Sequence, residues 1–218
     1  MSERFGTYLS FCNHDVEKAC RLYIWNMAVS SAFFPWLSMV EVVLRNRIHS
    51  TLIQIHSPQW PWADGFGRML PSSGFNPKNT LQNSRLKHTK SKQTGKVVAD
   101  LSFAFWQHLL TKRYANSLWN KHLMTAFPNL DSSKTVVENL KFLHTQIEAI
   151  RMLRNRIAHH EPIYRRDLNK DYENIQLFIK ICQSEDFIKW MERDDGFSLL
   201  GSGYLAFLLN QKPQNTLV

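Results

Sequence analysis

The sequence predicts an all-α protein, a bundle of long helices with one loop-rich insertion near residues 57–78. Three observations carry this. Apolar residues recur at steps of three and four along most of the chain, and no stretch alternates apolar with polar residues. Asp, Asn, Ser and Pro stand where helices would begin. Four of the eight prolines and three of the eight glycines fall within 57–78, so irregular backbone is concentrated in one place.

The elements follow in order. A first helix is expected over about 3–11. Asn13 or His14 starts the second, with Asp15 and Glu17 in its first turn, where the helix dipole favours acids. It is expected to end near Ser31, because Phe34-Pro35 breaks the chain and Pro35 suits the first turn of a third helix reaching His56. After the insertion, Asn76-Pro77 starts a basic, weakly amphipathic helix that Gly95 ends. VVADLSFAFWQHLLTKRY reads as a core helix, and another covers about 114–126, before Pro128. The clearest helix runs over about 134–158, with Asp131-Ser132-Ser133 as its caps. Its stripe is Val136, Leu140, Leu143, Ile147, Ile150 and Ile157, and Arg154 stands where one more apolar residue is due. Pro162 stops it. Helices near 168–182, 184–193 and 197–211 close the chain, read as one domain over 1–218.

A chain of 218 residues buries roughly 70% of its unfolded surface and needs no disulfide staples. Cys12, Cys20 and Cys182 are odd in number and lack metal-ligand spacing, which points to buried thiols in a reducing, cytoplasmic setting and to no metal or other cofactor. The N-terminus MSERFGTYLSF has no basic region followed by a long apolar run, so no secretory signal is expected. Residues 22–44 are long enough to span a bilayer, but Asn26, Ser30, Ser31, Pro35, Ser38 and Glu41 interrupt them; the reading is a pair of core helices and no membrane partner.

The net charge of +9 is segregated. Between Gly65 and Leu130 stand ten basic residues and a single acid, Asp100, while the rest of the chain holds 17 of each sign. Such a segment is a footprint for a polyanion, of which nucleic acid is the commonest, or else a solvated basic face. Its densest part carries Arg85, Lys87, Lys90, Lys92 and Lys96, the candidate RNA-binding residues, with Phe75, Phe103 and Trp106 nearby as aromatics.

One string occurs twice. Residues 44–52 read LRNRIHSTL and residues 153–161 read LRNRIAHHE. In the second copy, Arg154 either pairs with a carboxylate inside the bundle or faces an open site or a dimer seam. His159, His160 and Arg156 occupy the last turn, where capping of the helix carbonyls is the plain structural explanation. Arg154 and His159 are five apart, about 140° around an ideal helix, so they meet on one phosphate only where the helix ends or where a second copy contributes. In the first copy, Glu41, Arg45 and His49 fall at i, i+4 and i+8; an exposed ion-pair ladder is the favoured reading, and Arg45 supporting a phosphate the alternative.

At Arg154-Asn155-Arg156-Ile157-Ala158-His159, the pattern R-N-x-x-x-H resembles the signature of the HEPN superfamily. The longer LRNRIAHHEPI resembles the abortive-infection (Abi) proteins within that group, as do VVADLSFAFWQHLL and Ala126-Phe127-Pro128 upstream; with the first LRNRI the likeness covers about residues 10–185. The resemblance implies a HEPN-like helical bundle, a homodimer in which two Arg/His motifs share a cleft, and a metal-independent endoribonuclease. Carried over by position, Arg154 and His159 would be catalytic, Asn155 would orient them, and His160 and Glu161 would belong to the Abi form of the motif. The first copy departs from it, since Ser50 stands where the second has His159.

The leading function is therefore a ribonuclease effector, toxin-like, acting in abortive infection. Its partners would be RNA as substrate, a second copy of the chain, and a restraining antitoxin or small RNA. A non-catalytic RNA-binding module of a defence or toxin–antitoxin system is the alternative. A scaffold that binds an acidic protein through the basic segment is the third reading.

Overall fold

The computed structural model describes residues 3–183 except 73 and 91, residue 189, and residues 202–213. The fold is all-α, with no strand among the described residues. Helix α1 (Glu3–Phe11) is followed by α2 (Val16–His56), which runs through the molecule for 41 residues. A 3-10 turn (Trp60–Trp62) and α3 (Asp64–Met69) make up most of the insertion. Then come α4 (Pro77–Lys87), α5 (Thr94–Asp100) and α6 (Phe103–His108), a 3-10 turn (Lys112–Tyr114), a π-turn (Ala115–Trp119) and α7 (Leu123–Ala126). The long α8 (Val136–Ala158), α9 (Leu168–Cys182) and α10 (Ser202–Asn210) complete the described chain.

Local chemistry sets the ends. The Asp15 carboxylate accepts from the Lys18 N–H at 3.0 Å and starts α2. Asn76 accepts from Asn79 N at 2.8 Å ahead of Pro77, so the expected start of α4 holds. For α8 the cap is Thr135, not Asp131-Ser132-Ser133. Thr135 and Glu138 form a reciprocal capping box, while Asp131 accepts from Ser133 and closes the preceding turn.

Four further expectations are corrected. Helix α4 ends at Lys87, and Gly95 lies inside α5 rather than ending the basic helix. Pro35 does not break the chain; α2 continues through it. Ser31, whose carbonyl loses its partner, and Pro35 itself are both exposed, so water can take that carbonyl. Meanwhile Phe33, Trp36, Leu37 and Val40 bury on either side and hold the two halves in line. The single core helix expected over VVADLSFAFWQHLLTKRY is two, because Leu101 is extended and the Ser102 hydroxyl caps a new start by accepting from Phe105 N. The helix expected near 114–126 is a π-turn closed by Asn120 N to Ala115 O at 2.8 Å, followed by the single turn α7. Helix 168–182 is as expected; 184–193 lies outside the described residues, and of 197–211 the described part is α10 with Gln211.

Helix α2 is the axis of the core. It packs on α1, α9 and α10 and also touches α6, α7 and α8. Trp36, Trp60, Trp106, Trp119, Tyr114 and Tyr164 are fully buried, and an aromatic of this size contributes about 1.5–3 kcal/mol on burial. By length and composition α2 could also cross a bilayer. Its inner face is that of a core helix, however, and the Trp25 indole N–H ties it to α10 by donating to Leu208 O at 2.7 Å. One hydrogen bond and one ring packing place the chain after α8. Asn26, buried on α2, accepts from Ile163 N at 2.8 Å, and the Tyr164 ring packs on Tyr8 and Phe11 of α1.

Candidate functional site

The end of α8 is built by its own backbone. Glu161 N donates to Arg156 O at 2.7 Å and His160 N to Ile157 O at 3.0 Å, the paired bonds of a Schellman motif. That motif needs a left-handed residue at its turn. His160 fills the place with φ of 55°, where glycine is usual. Pro162 follows, and the Asn26–Ile163 bond fixes the exit. The last turn of α8 is thereby set against the middle of α2.

A groove of about 950 Å³ lies at that junction. Its polar lining includes Glu41 from α2 with Arg154, His160 and Glu161 from α8 and its turn. Its apolar lining includes Tyr23, Met27 and Phe34 of α2. Phe34 is 65% exposed and Met27 57%, so this wall is open rather than core.

Arg154 finds a carboxylate partner, though a partly exposed one rather than one inside the bundle. Its guanidinium pairs with the Glu41 carboxylate at 3.5 Å, and it also lines the groove. The two side chains are 39% and 30% exposed. A pair that wet contributes roughly 0.2–1 kcal/mol, so an arriving phosphate can compete for the arginine. The apolar stripe of α8 runs on through Leu153, which is buried, and leaves Arg154 beside it.

The other motif residues separate. Asn155 gives its carbonyl to His159 N at 2.9 Å and is half-buried. Arg156 donates to Pro162 O at 3.1 Å and stands 3.7 Å from Glu161, a clasp across the turn. His159 caps the helix and is exposed, but it is His160 that lines the groove.

The first copy forms no ion-pair ladder, because its members are spent elsewhere. Glu41 turns to Arg154. Arg45 is half-buried, its Nε has no hydrogen-bond partner among the described residues, and it is not on the groove lining. Arg47 donates to the Cys182 carbonyl at the end of α9. His49 Nδ1 accepts from the Trp60 indole at 2.9 Å, and burial, then the nearby Arg45 charge, holds its pKa below the ordinary histidine value.

The basic segment is also divided. Arg85 is structural in part: its Nε donates to Pro61 O and its Nη2 to Ala63 O at 3.4 Å, pinning the insertion, and burial lowers its pKa. Lys87 pairs with Asp100 at 3.1 Å, and that bond is the main reason the Asp100 carboxyl sits below the usual range. Lys90, Lys92 and Lys96 are exposed. Of the aromatics named for stacking, Phe103 and Trp106 are core; Phe75 is 46% exposed and rests on His108. Cys20 is exposed, unlike Cys12 and Cys182. Among the described residues no group of three or more His, Cys, Asp or Glu could hold a metal ion.

Sequence reasoning did not pair Glu41 with Arg154, and it took the wall of Tyr23, Met27 and Phe34 for core. The signal was present: Tyr23, Met27, Ser30, Phe34, Ser38 and Glu41 recur in steps of three and four, one face mixing serine with large apolar residues.

A family model described as Abi-like protein matches residues 3–165, a span that takes in the groove and both LRNRI copies. The chain belongs to the Abi-like protein family. No curated protein and no solved structure matches it.

Proposed function

We propose that the chain is a HEPN-like endoribonuclease effector of abortive infection, cutting RNA without a metal in the α2–α8 groove. The observation that carries the reading is Arg154, held half-exposed by a weak pair with Glu41 on a groove that His160 also lines, in a chain of the Abi-like family. The ribose 2′-hydroxyl attacks its own phosphate. Its proton passes to a histidine, the 5′-oxygen leaves and takes a proton from an acid, and the products are a 2′,3′-cyclic phosphate and a 5′-hydroxyl. Arg154 clamps the equatorial oxygens as charge builds on phosphorus. His159 and His160 are the proton-transfer candidates. Asn155 and Glu161 position the turn that carries them.

The functional unit in this reading is a homodimer, whose second copy would bring a second Arg154 and His159 to the shared cleft. Restraint would come from an antitoxin protein or a small RNA that covers the groove. The exposed Lys90, Lys92 and Lys96 would hold the RNA backbone outside it.

The test is RNA cleavage by the pure protein in excess EDTA, beside His159→Ala and His160→Ala, with product ends identified. Cyclic-phosphate products from the wild type, lost in one histidine variant, are expected. RNA binding of equal strength in all three proteins with no cleavage would replace the enzyme with a non-catalytic RNA-binding module.

A further inference from the structure

A second concavity, of about 390 Å³, opens between α3 and α4. Its lining includes Arg68, Lys78, Arg85 and Gln82, with Asp64 as the one acid. Arg68 and Lys78 are exposed, and among the described residues neither has a carboxylate within ion-pair distance. Arg85 is held from behind, since its Nε and Nη2 bond the carbonyls of Pro61 and Ala63. Its Nη1 donates to nothing among the described residues. Gly67, which is buried, lets that guanidinium lie flush on α3: a β-carbon there would stand 3.3 Å from Nη2 and 3.4 Å from Nη1. The arginine is thus fixed in place before any ligand arrives, and fixing a donor in advance lowers the entropy cost of binding.

The geometry points to a phosphate-binding pocket here, made by Arg68, Lys78 and Arg85 with the Gln82 amide, distinct from the Arg154 groove and independent of any cleavage chemistry. Three cations against one carboxylate favour an anion. A positioned guanidinium, a mobile ammonium and an amide donor suit the several oxygens of a phosphate group better than the two of a carboxylate. The volume admits a phosphate with one attached nucleoside. Such a group can come from an RNA strand or from a free mononucleotide; the recognition chemistry is the same.

Calorimetric titration of the full chain with inorganic phosphate, AMP and a short single-stranded RNA separates these sources, and an oligo-glutamate peptide serves as the acidic-protein control. The proteins are wild type, the double variant Arg68→Gln/Lys78→Gln, and Arg154→Ala. Both changed residues of the double variant are exposed, so the fold is expected to survive, and circular dichroism checks it. Phosphate and AMP should bind the wild type and Arg154→Ala alike, and roughly tenfold or more weakly in the double variant, which lacks two charge-assisted donors. RNA weakened by the same factor assigns the pocket to a strand; RNA unchanged while AMP is lost assigns it to a free nucleotide. Equal phosphate binding by wild type and double variant overturns the proposal. So does an acidic peptide that binds as tightly as phosphate, which would make the pocket a protein-docking surface. Arg154→Ala losing RNA cleavage while keeping phosphate binding keeps this result separate from the nuclease reading.

Discussion

The two LRNRI strings spell the same five residues and meet opposite fates. In the first, about two and a half turns from the nearest proline, Pro35, and well inside α2, the side chains are drawn inward. Arg47 reaches the end of α9, His49 takes the Trp60 indole proton, and Leu44 and Ile48 are buried. In the second, the helix ends within a turn. Arg154 stays on a groove wall, Arg156 clasps the exit, and His159 and His160 remain exposed. Identical letters become scaffold where backbone continues on both sides, and an accessible polar turn where a Schellman motif and Pro162 stop the helix. The copies also cooperate, since Glu41, one turn before the first, holds the arginine of the second.

The largest expected difference is in chemistry. If the groove cleaves RNA, Arg154→Ala should lower the rate about 10²- to 10³-fold, as loss of a transition-state charge donor does. Arg45→Ala, the matching change in the first copy, should cost less than about tenfold, since Arg45 is off the groove lining. Matched single-turnover rates on one RNA check this, and equal losses would dissolve the asymmetry. The next difference is in stability. Arg47→Ala removes a charge-assisted bond to a buried helix end and should cost about 1.5–3 kcal/mol. Arg156→Ala, its counterpart, breaks only an exposed clasp and should cost less than about 0.5 kcal/mol. Urea denaturation of the two variants gives both numbers.

Burial makes a third contrast, in pH. His49, His56 and His108 all have pKa values pushed below the ordinary one, each mainly by burial. The unfolded chain therefore binds more protons than the folded one, beginning as pH falls through about 6.5. The stability these residues contribute as neutral groups is present above that value and lost as pH falls through their folded pKa. Denaturation midpoints should drop between pH 7 and pH 5. His49→Asn, which keeps an acceptor for Trp60 and removes the titration, should flatten that slope. An unchanged slope would mean that His49 carries none of it.

Local signals in the sequence reached as far as local causes do. The start of α4 at Asn76, the course of α8 and its stop at Pro162 all rest on residues within a few positions of one another. Pro35 misled because its penalty is local and its remedy is not: Phe33, Trp36, Leu37 and Val40 bury on both sides and keep α2 whole. Arg154 was conspicuous as a charge in an apolar series, yet Leu153 carries that series on, and the partner Glu41 comes from another helix that no spacing rule connects to it. The basic segment was legible as charge but not as function. Whether an arginine there faces solvent, as Arg68 does, or pins carbonyls, as Arg85 does, depends on how the insertion folds back on α4.

The last contrast has opposite signs in its two readouts. His160 is held at φ of 55°, a left-handed conformation in which a β-carbon is crowded and which glycine adopts freely. His160→Gly should leave the Schellman bonds of Glu161 and residue 160 in place, because both use backbone N–H groups. Relief of strain outweighs the added freedom of the unfolded chain, so stability should rise by about 0.5–1 kcal/mol. If the His160 imidazole works in the groove, cleavage should fall in the same variant. His159→Gly is the control: at φ of −93° there is no strain to relieve, so stability should fall. A gain in stability with no loss of cleavage would make His160 a turn residue only, and would return the chemistry to His159. A gain accompanied by lost cleavage would mean that the end of α8 retains a conformationally costly histidine because the groove uses it.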